Sequence, residues 1–140
     1  MKHYYTDGSA SPNPGPGGFA VIDLDSKQPA ALGREANSTN IRMEAMALIA
    51  AYKIAEPGDK ISTDSEFWVN VVTKWAENWK KNGWTKKNGP IKNLELVQEL
   101  YELYLSKPDV TLAWTRGHVG TEGNELADEW ANKAREGAEI

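Results

Sequence analysis

The chain has 140 residues, 40% of them apolar and 26% charged, with a formal net charge of −4 and no cysteine. That is enough chain for one domain, residues 1–140, burying roughly two thirds of its unfolded surface, and the balance is that of a folded globule. Disulfide scaffolds and thiolate chemistry are excluded. No apolar run approaches the ~20 residues of a membrane span and no basic-apolar leader precedes the first strand, so a cytoplasmic protein is expected.

The first strand is expected to end in Tyr4-Tyr5-Thr6-Asp7, with Gly8 releasing the backbone into a polar, Pro/Gly-rich turn over residues 9–18. Phe19 to Asp25 reads as a second strand and Ala30 to Glu35 as a third, which predicts an antiparallel meander. Ser38-Thr39-Asn40 supplies N-cap oxygens for a helix over 41–55 that is apolar nearly all round and so central. Glu44 is the exception in its first turns. Pro57-Gly58 stops that helix, and residues 59–64 form a fourth strand, parallel to the first through a right-handed crossover. Ser65 caps a helix carrying Trp68, Val71, Val72, Trp75 and Trp79 at helical spacing. After a break at Asn82-Gly83 and a lysine-rich loop, a helix is expected over 91–105, a fifth strand over 110–115 and a last helix over 125–135. The whole reads as an α/β fold: a five-stranded mixed sheet, three antiparallel strands then parallel ones, flanked by helices.

Charge is unevenly spread. Between Lys74 and Lys92 there are six lysines and one acid, Glu77, a net +5 on a remainder of −9. Such an island on an acidic globule is a candidate phosphate-binding surface.

Most of the twenty carboxylates belong on solvated faces. Four do not fit that description. Asp7 and Asp64 repeat one pattern, a strand closing in Thr-Asp before a small residue, although Asp is depleted in strands and costly to bury. Glu44 lies on the buried helix, and Asp128 sits early in the last helix between Ala127 and Trp130. Taken singly, Glu44 and Asp128 are equally well read as acids complementing a helix dipole. Taken together, acids gathered at one place repel one another unless a cation neutralises them. An all-oxygen donor set favours Mg²⁺ or Mn²⁺, and paired ions of this kind, ~3.5–4 Å apart, suit phosphodiester cleavage.

Tyr5-Thr6-Asp7-Gly8-Ser9 with Asn13-Pro14-Gly15-Pro16-Gly17-Gly18, Arg42-Met43-Glu44, Ser62-Thr63-Asp64-Ser65, Trp79-Lys80-Lys81-Asn82-Gly83-Trp84, and Gly117-His118-Val119-Gly120 followed by Asn124-Glu125 and Asp128 closely resemble type 1 ribonuclease H, in order and over nearly the whole chain. The resemblance implies the ribonuclease H fold and endonucleolytic cutting of the RNA strand of an RNA/DNA hybrid, with two Mg²⁺ ions and products ending in 5′-phosphate and 3′-hydroxyl. It implies that Asp7 bridges both ions, Glu44 and Asp64 hold the one on the leaving-group side, and Asp128 the one bearing the attacking water. His118 would assist proton transfer or product departure, whereas His3 is read as structural. The lysine-rich segment looks like the basic protrusion of bacterial members, with Trp75, Lys80, Lys81, Trp84 and Lys92 against the DNA strand. Asn13, Asn40 and Glu66 fall where polar hybrid contacts are made, read by shape and 2′-hydroxyls rather than by base sequence. A monomer is expected.

The sequence departs from the family pattern at two points. Ile41 follows Asn40 where a second asparagine is common, and Glu66 stands where a glutamine is often found. Other readings are a resolvase- or integrase-like nuclease on the same fold, a non-catalytic hybrid-binding module, or a cation-binding structural domain.

Overall fold

The computed structural model describes residues 1–87, 89–116 and 122–140. His118 and its glycine-flanked loop lie outside the described residues. Five strands form one sheet in the order β3-β2-β1-β4-β5: β1 (His3–Ala10), β2 (Gly15–Asp23), β3 (Gln28–Ser38), β4 (Lys60–Thr63) and β5 (Thr111–Trp114). β1–β2 and β2–β3 pair antiparallel, while β1–β4 and β4–β5 pair parallel. The expected mixed sheet is therefore the observed one. Among the described residues no helix is long and apolar enough to cross a membrane.

β1 runs further than expected. Asp7 does not end it, because Gly8, Ser9 and Ala10 continue the antiparallel ladder against Phe19, Gly18 and Gly17. The Pro/Gly-rich tract that reads as one turn is in part the start of β2. On its other edge β1 does stop pairing at Thr6, opposite Thr63. Asp7 is thus mid-strand toward β2 and at a strand end toward β4.

The helices are α1 (Asn40–Ile54), α2 (Glu66–Asn70), α3 (Ala76–Lys81), α4 (Leu94–Ser106) and α5 (Glu122–Arg135), with a π-helical turn, Val71–Trp75, joining α2 to α3. The Thr39 hydroxyl accepts from the Arg42 amide and so caps α1. At its other end Lys107 Nζ donates to the carbonyls of Tyr52 and, at 3.0 Å, Ala55. α1 buries Met43, Ala45, Ala47, Leu48, Ile49, Ala51 and Tyr52. With Tyr4, Val21, Ile61, Trp68, Val97 and Leu100 it makes the larger core on one sheet face. α5 covers the other face over a smaller core of Tyr5, Ala20, Ile22, Ala127 and Ala131.

Candidate active site

Period-two alternation along β1 sends Tyr4, Thr6 and Gly8 toward α1, and Tyr5, Asp7 and Ser9 toward α5. The two buried clusters divide Tyr4 from Tyr5 in that way. Because Thr6 is paired with Thr63 in a parallel register, the next residues on the two strands are Asp7 and Asp64. The repeated Thr-Asp pattern thus lies on two adjacent strands.

Glu44 reaches this site because Gly8 has no side chain. A Cβ there would stand 2.3 Å from the Met43 carbonyl carbon and 2.5 Å from the Glu44 nitrogen, so α1 rests backbone to backbone on β1. The buried Trp68 indole fixes the same end of the helix, donating from Nε1 to the Ile41 carbonyl at 2.8 Å. Arg42 adds a fork to Glu35 at 3.3 Å and to Glu95 at 2.7 Å, tying α1 to β3 and α4. Neither the Trp68 nor the Arg42 role is visible in spacing alone. From the opposite face α5 presents Asp128, one turn ahead of Asn132, whose Oδ1 accepts from the Ser9 hydroxyl at 3.1 Å.

The electrostatics follow from that crowding. Burial, then the Asp64 charge, push the Asp7 carboxyl up from its ordinary value to about 8. The Gly8 amide, donating to Asp7 Oδ1 at 2.9 Å, opposes this, while Asp128 and Glu44 add to it. Glu44 is raised to about 7 by burial and Asp64, against a hydrogen bond from Ser65. Four carboxylates therefore influence one another, and every donor is oxygen. Among the described residues no three ligating side chains form a ready-made metal cage. Acids that repel at neutral pH and offer only oxygen fit hard divalent cations, which would draw them together.

The hybrid-contact candidates named from the sequence fall on the β1–β2 loop, α1, α2, the π-helical turn, α3 and the α3–α4 connection. Asn13 Oδ1 accepts from the Asn40 amide at 3.1 Å, and Asn40 Oδ1 from the Ala10 amide at 2.7 Å, so the two asparagines lock the β1–β2 loop to the start of α1. Glu66 is exposed in the first turn of α2. Trp75 is 38% exposed and stands edge-on to Phe67, with Trp79 next to it. Trp84 is half-buried against Tyr101, so it also anchors its loop. Lys80, Lys81 and Lys92 are exposed. A cavity of about 330 Å³ between these elements is lined by Ile41, Phe67, Trp75, Lys86, Lys92 and others. It adjoins the start of α1 at Ile41.

The family model for RNase H matches residues 2–136. The chain belongs to the RNase H family. It is 46% identical over 136 residues to Ribonuclease H of Polynucleobacter asymbioticus, covering 94% of this chain and 88% of the relative. With Ribonuclease H of Agrobacterium fabrum it shares 44% identity over 142 residues and 97% of each chain. Among solved structures it is similar to LC9-RNase H1, a type 1 RNase H with the type 2 active-site motif, at TM-score 0.80 and 28% identity over 97% of this chain and 72% of that one. The RNase H family fold accounts for the meander, the crossover and the central position of β1 observed here.

Proposed function

We propose that this chain is an endoribonuclease that hydrolyses the RNA strand of RNA/DNA hybrids, working as a single monomeric domain in the cytoplasm. The observation that carries the reading is the convergence of Asp7, Glu44, Asp64 and Asp128 from β1, α1, β4 and α5 on one strand end, beside a lysine-rich surface. Asp7, Glu44, Asp64 and Asp128 would hold two Mg²⁺ ions, with Mn²⁺ as a substitute. When bound, such ions supply Lewis acidity for in-line phosphodiester hydrolysis, leaving 5′-phosphate and 3′-hydroxyl ends. The chain's own contribution is positional. The parallel register sets Asp7 beside Asp64, and the bare Gly8 admits Glu44. His118 is assigned proton transfer or product release. Asn13, Asn40 and Glu66 are placed along the minor groove, and Trp75, Lys80, Lys81, Trp84 and Lys92 along the DNA strand.

The direct test is cleavage of end-labelled RNA, free, paired with RNA and paired with DNA, with and without Mg²⁺. Cutting confined to the hybrid and dependent on the cation is expected; equal cutting of free RNA would refute the reading. A resolvase-like enzyme would cut branched DNA in the same assay, and a binding module would retain the hybrid uncut.

The lysine surface has its own signature. Replacing Lys80, Lys81, Lys86 and Lys87 by Ala should raise KM and leave kcat at saturation nearly unchanged, since binding remote from the reacting phosphate is shared by ground and transition states. If all four neutralise phosphates, the slope of log affinity against log salt should flatten by about 3. Folding should survive: among the described residues the only ion pair lost is the exposed Lys81–Glu77 contact at 3.5 Å. Such a pair contributes about 0.3–0.5 kcal/mol. An unchanged slope would mean that these lysines are merely solvated.

A further inference from the structure

The lysine surface lies on the α1–α4 side of the carboxylates, and a second cationic feature stands on the α5 side. Ser9 on β1 pairs with Gly18 on β2, and Gly18 with Arg34 on β3, so the three form one row across the sheet. That row begins two residues past Asp7. The last turn of α5 lies directly on it: a Cβ on Gly18 would stand 2.3 Å from the Arg135 nitrogen and 2.5 Å from the Ala131 carbonyl oxygen. Arg135 Nη2 donates to Asn132 Oδ1 at 3.1 Å, the same oxygen that accepts from Ser9. Arg34 turns toward the end of α5, its Nη1 lying 2.8 Å from where a Cβ on Gly137 would stand.

Neither guanidinium is neutralised by a carboxylate among the described residues. Arg135 Nε is buried without a partner there. A cation in the last turn of a helix is favoured by the dipole, which accounts for Arg135 in part. It does not account for Arg34, which arrives from the edge strand. The neighbouring charges are otherwise engaged or competing: Lys133 pairs with Glu129 and sits over Trp130, Glu136 is exposed, and Glu139 lines the groove beside Arg34.

We infer that Arg34 and Arg135 form a second phosphate contact, taking the backbone of the RNA strand on the side of the cut away from the lysine surface. The inference rests on the proposed hybrid-cleaving function. With the DNA strand held on the α1–α4 side and the scissile phosphate at Asp7, an RNA strand continuing past the cut on the α5 side would run over the outside of α5 and the exposed Arg34, since both sheet faces are covered by helices. Arg34 and Arg135 are the cations where the row from Ser9 to Arg34 emerges from beneath the last turn of α5. A planar guanidinium suits a phosphate diester by bidentate hydrogen bonding, and Asn132 would hold Arg135 in the fork orientation.

The test combines Arg34→Gln/Arg135→Gln with hybrids in which single phosphates are replaced by neutral methylphosphonates. The double variant should raise KM roughly tenfold, flatten the salt slope by about 1.5, and leave kcat nearly unchanged. A methylphosphonate in the RNA strand a few nucleotides from the cut should weaken binding of the unmodified protein but add little to the loss already present in the variant. If the double variant does not fold, Arg34→Gln alone is read the same way with half the slope change, and Arg135→Lys separates charge from the fork. Active protein with an unchanged salt slope would overturn the inference, as would coupling only to methylphosphonates in the DNA strand. Unmodified protein that cuts no hybrid would remove the functional reading itself, and the two failures are told apart before any variant is compared.

Discussion

Asp7→Asn is expected to remove nearly all turnover while raising the melting temperature of the metal-free protein at neutral and alkaline pH. The two effects have one cause. Asp7 is held where burial and three neighbouring acids oppose its charge, so its carboxyl is raised from 3.8 to about 8. For an acid raised in the folded state, the native protein binds the extra proton, and stability falls as pH rises from the unfolded value through the folded one. Metal-free protein should therefore lose stability between about pH 4 and pH 8, with Glu44, raised to about 7, acting in the same window. An uncharged amide of the same shape escapes that penalty and still offers Oδ1 to the Gly8 amide. The melting temperatures of the two proteins should coincide near pH 4 and diverge above it. Added Mg²⁺ should raise the melting temperature of the unmodified protein well above pH 7 and that of the variant much less. Activity should drop by more than the ~100-fold that loss of an outer-shell group can cause. Calorimetry across pH, with and without Mg²⁺, and hybrid cleavage check the two halves separately. A variant that cleaves at the original rate would show that the site is elsewhere.

The second large effect comes from a residue that carries no functional group. Gly8→Ala places a methyl 2.3 Å from the Met43 carbonyl carbon, and a backbone atom cannot rotate away. Either α1 lifts from β1 or β1 bends, and both move Glu44 relative to Asp7. Overpacking of this kind costs about 3 kcal/mol, or roughly 10 °C in melting temperature for a chain of this size. Turnover should fall beyond what reduced stability explains, with the loss in kcat, since the lysine surface stays in place. Thermal unfolding together with steady-state kinetics below the melting temperature decides the point. A variant with unaltered stability would contradict the close approach of α1 to β1.

What could be read from residues alone was whatever rests on repetition and periodicity. Two Thr-Asp strand closings suggested neighbouring carboxylates, and the parallel register of β1 and β4 sets Asp7 beside Asp64. The apolar run from Met43 to Ile54 implied a central helix, as found. What could not be read depended on partners distant in sequence. Gly8, Ser9 and Ala10 belong to β1 because Gly17, Gly18 and Phe19 lie opposite, so glycines that signal a turn in isolation act here as ladder residues. The π-helical turn at Val71–Trp75 had no distinct pattern, since Trp68, Val71, Val72 and Trp75 fit an α-helix equally well. Trp68 was legible as core, but not its hydrogen bond to Ile41. Arg42 was legible as part of a motif, but not its grip on Glu35 and Glu95. The Arg34–Arg135 pair is 101 positions apart and is created only when α5 settles on Gly18.

The parallel pairing of β1 with β4 also makes the carboxylate cluster a non-local construction. The β1–β2–β3 meander closes through short local loops, whereas pairing β4 with β1 spans the whole intervening meander and α1. Non-local pairing of this kind is slower than hairpin formation. Asp7 gains Asp64 as a neighbour only through that pairing, and Asp128 only when α5 docks on the opposite face. A nascent or partly folded chain holding the meander alone has one of the four carboxylates in place. If the four carboxylates carry the hydrolysis, as proposed, activity is a property of the finished topology, and its recovery on refolding should not precede the docking of the last helix.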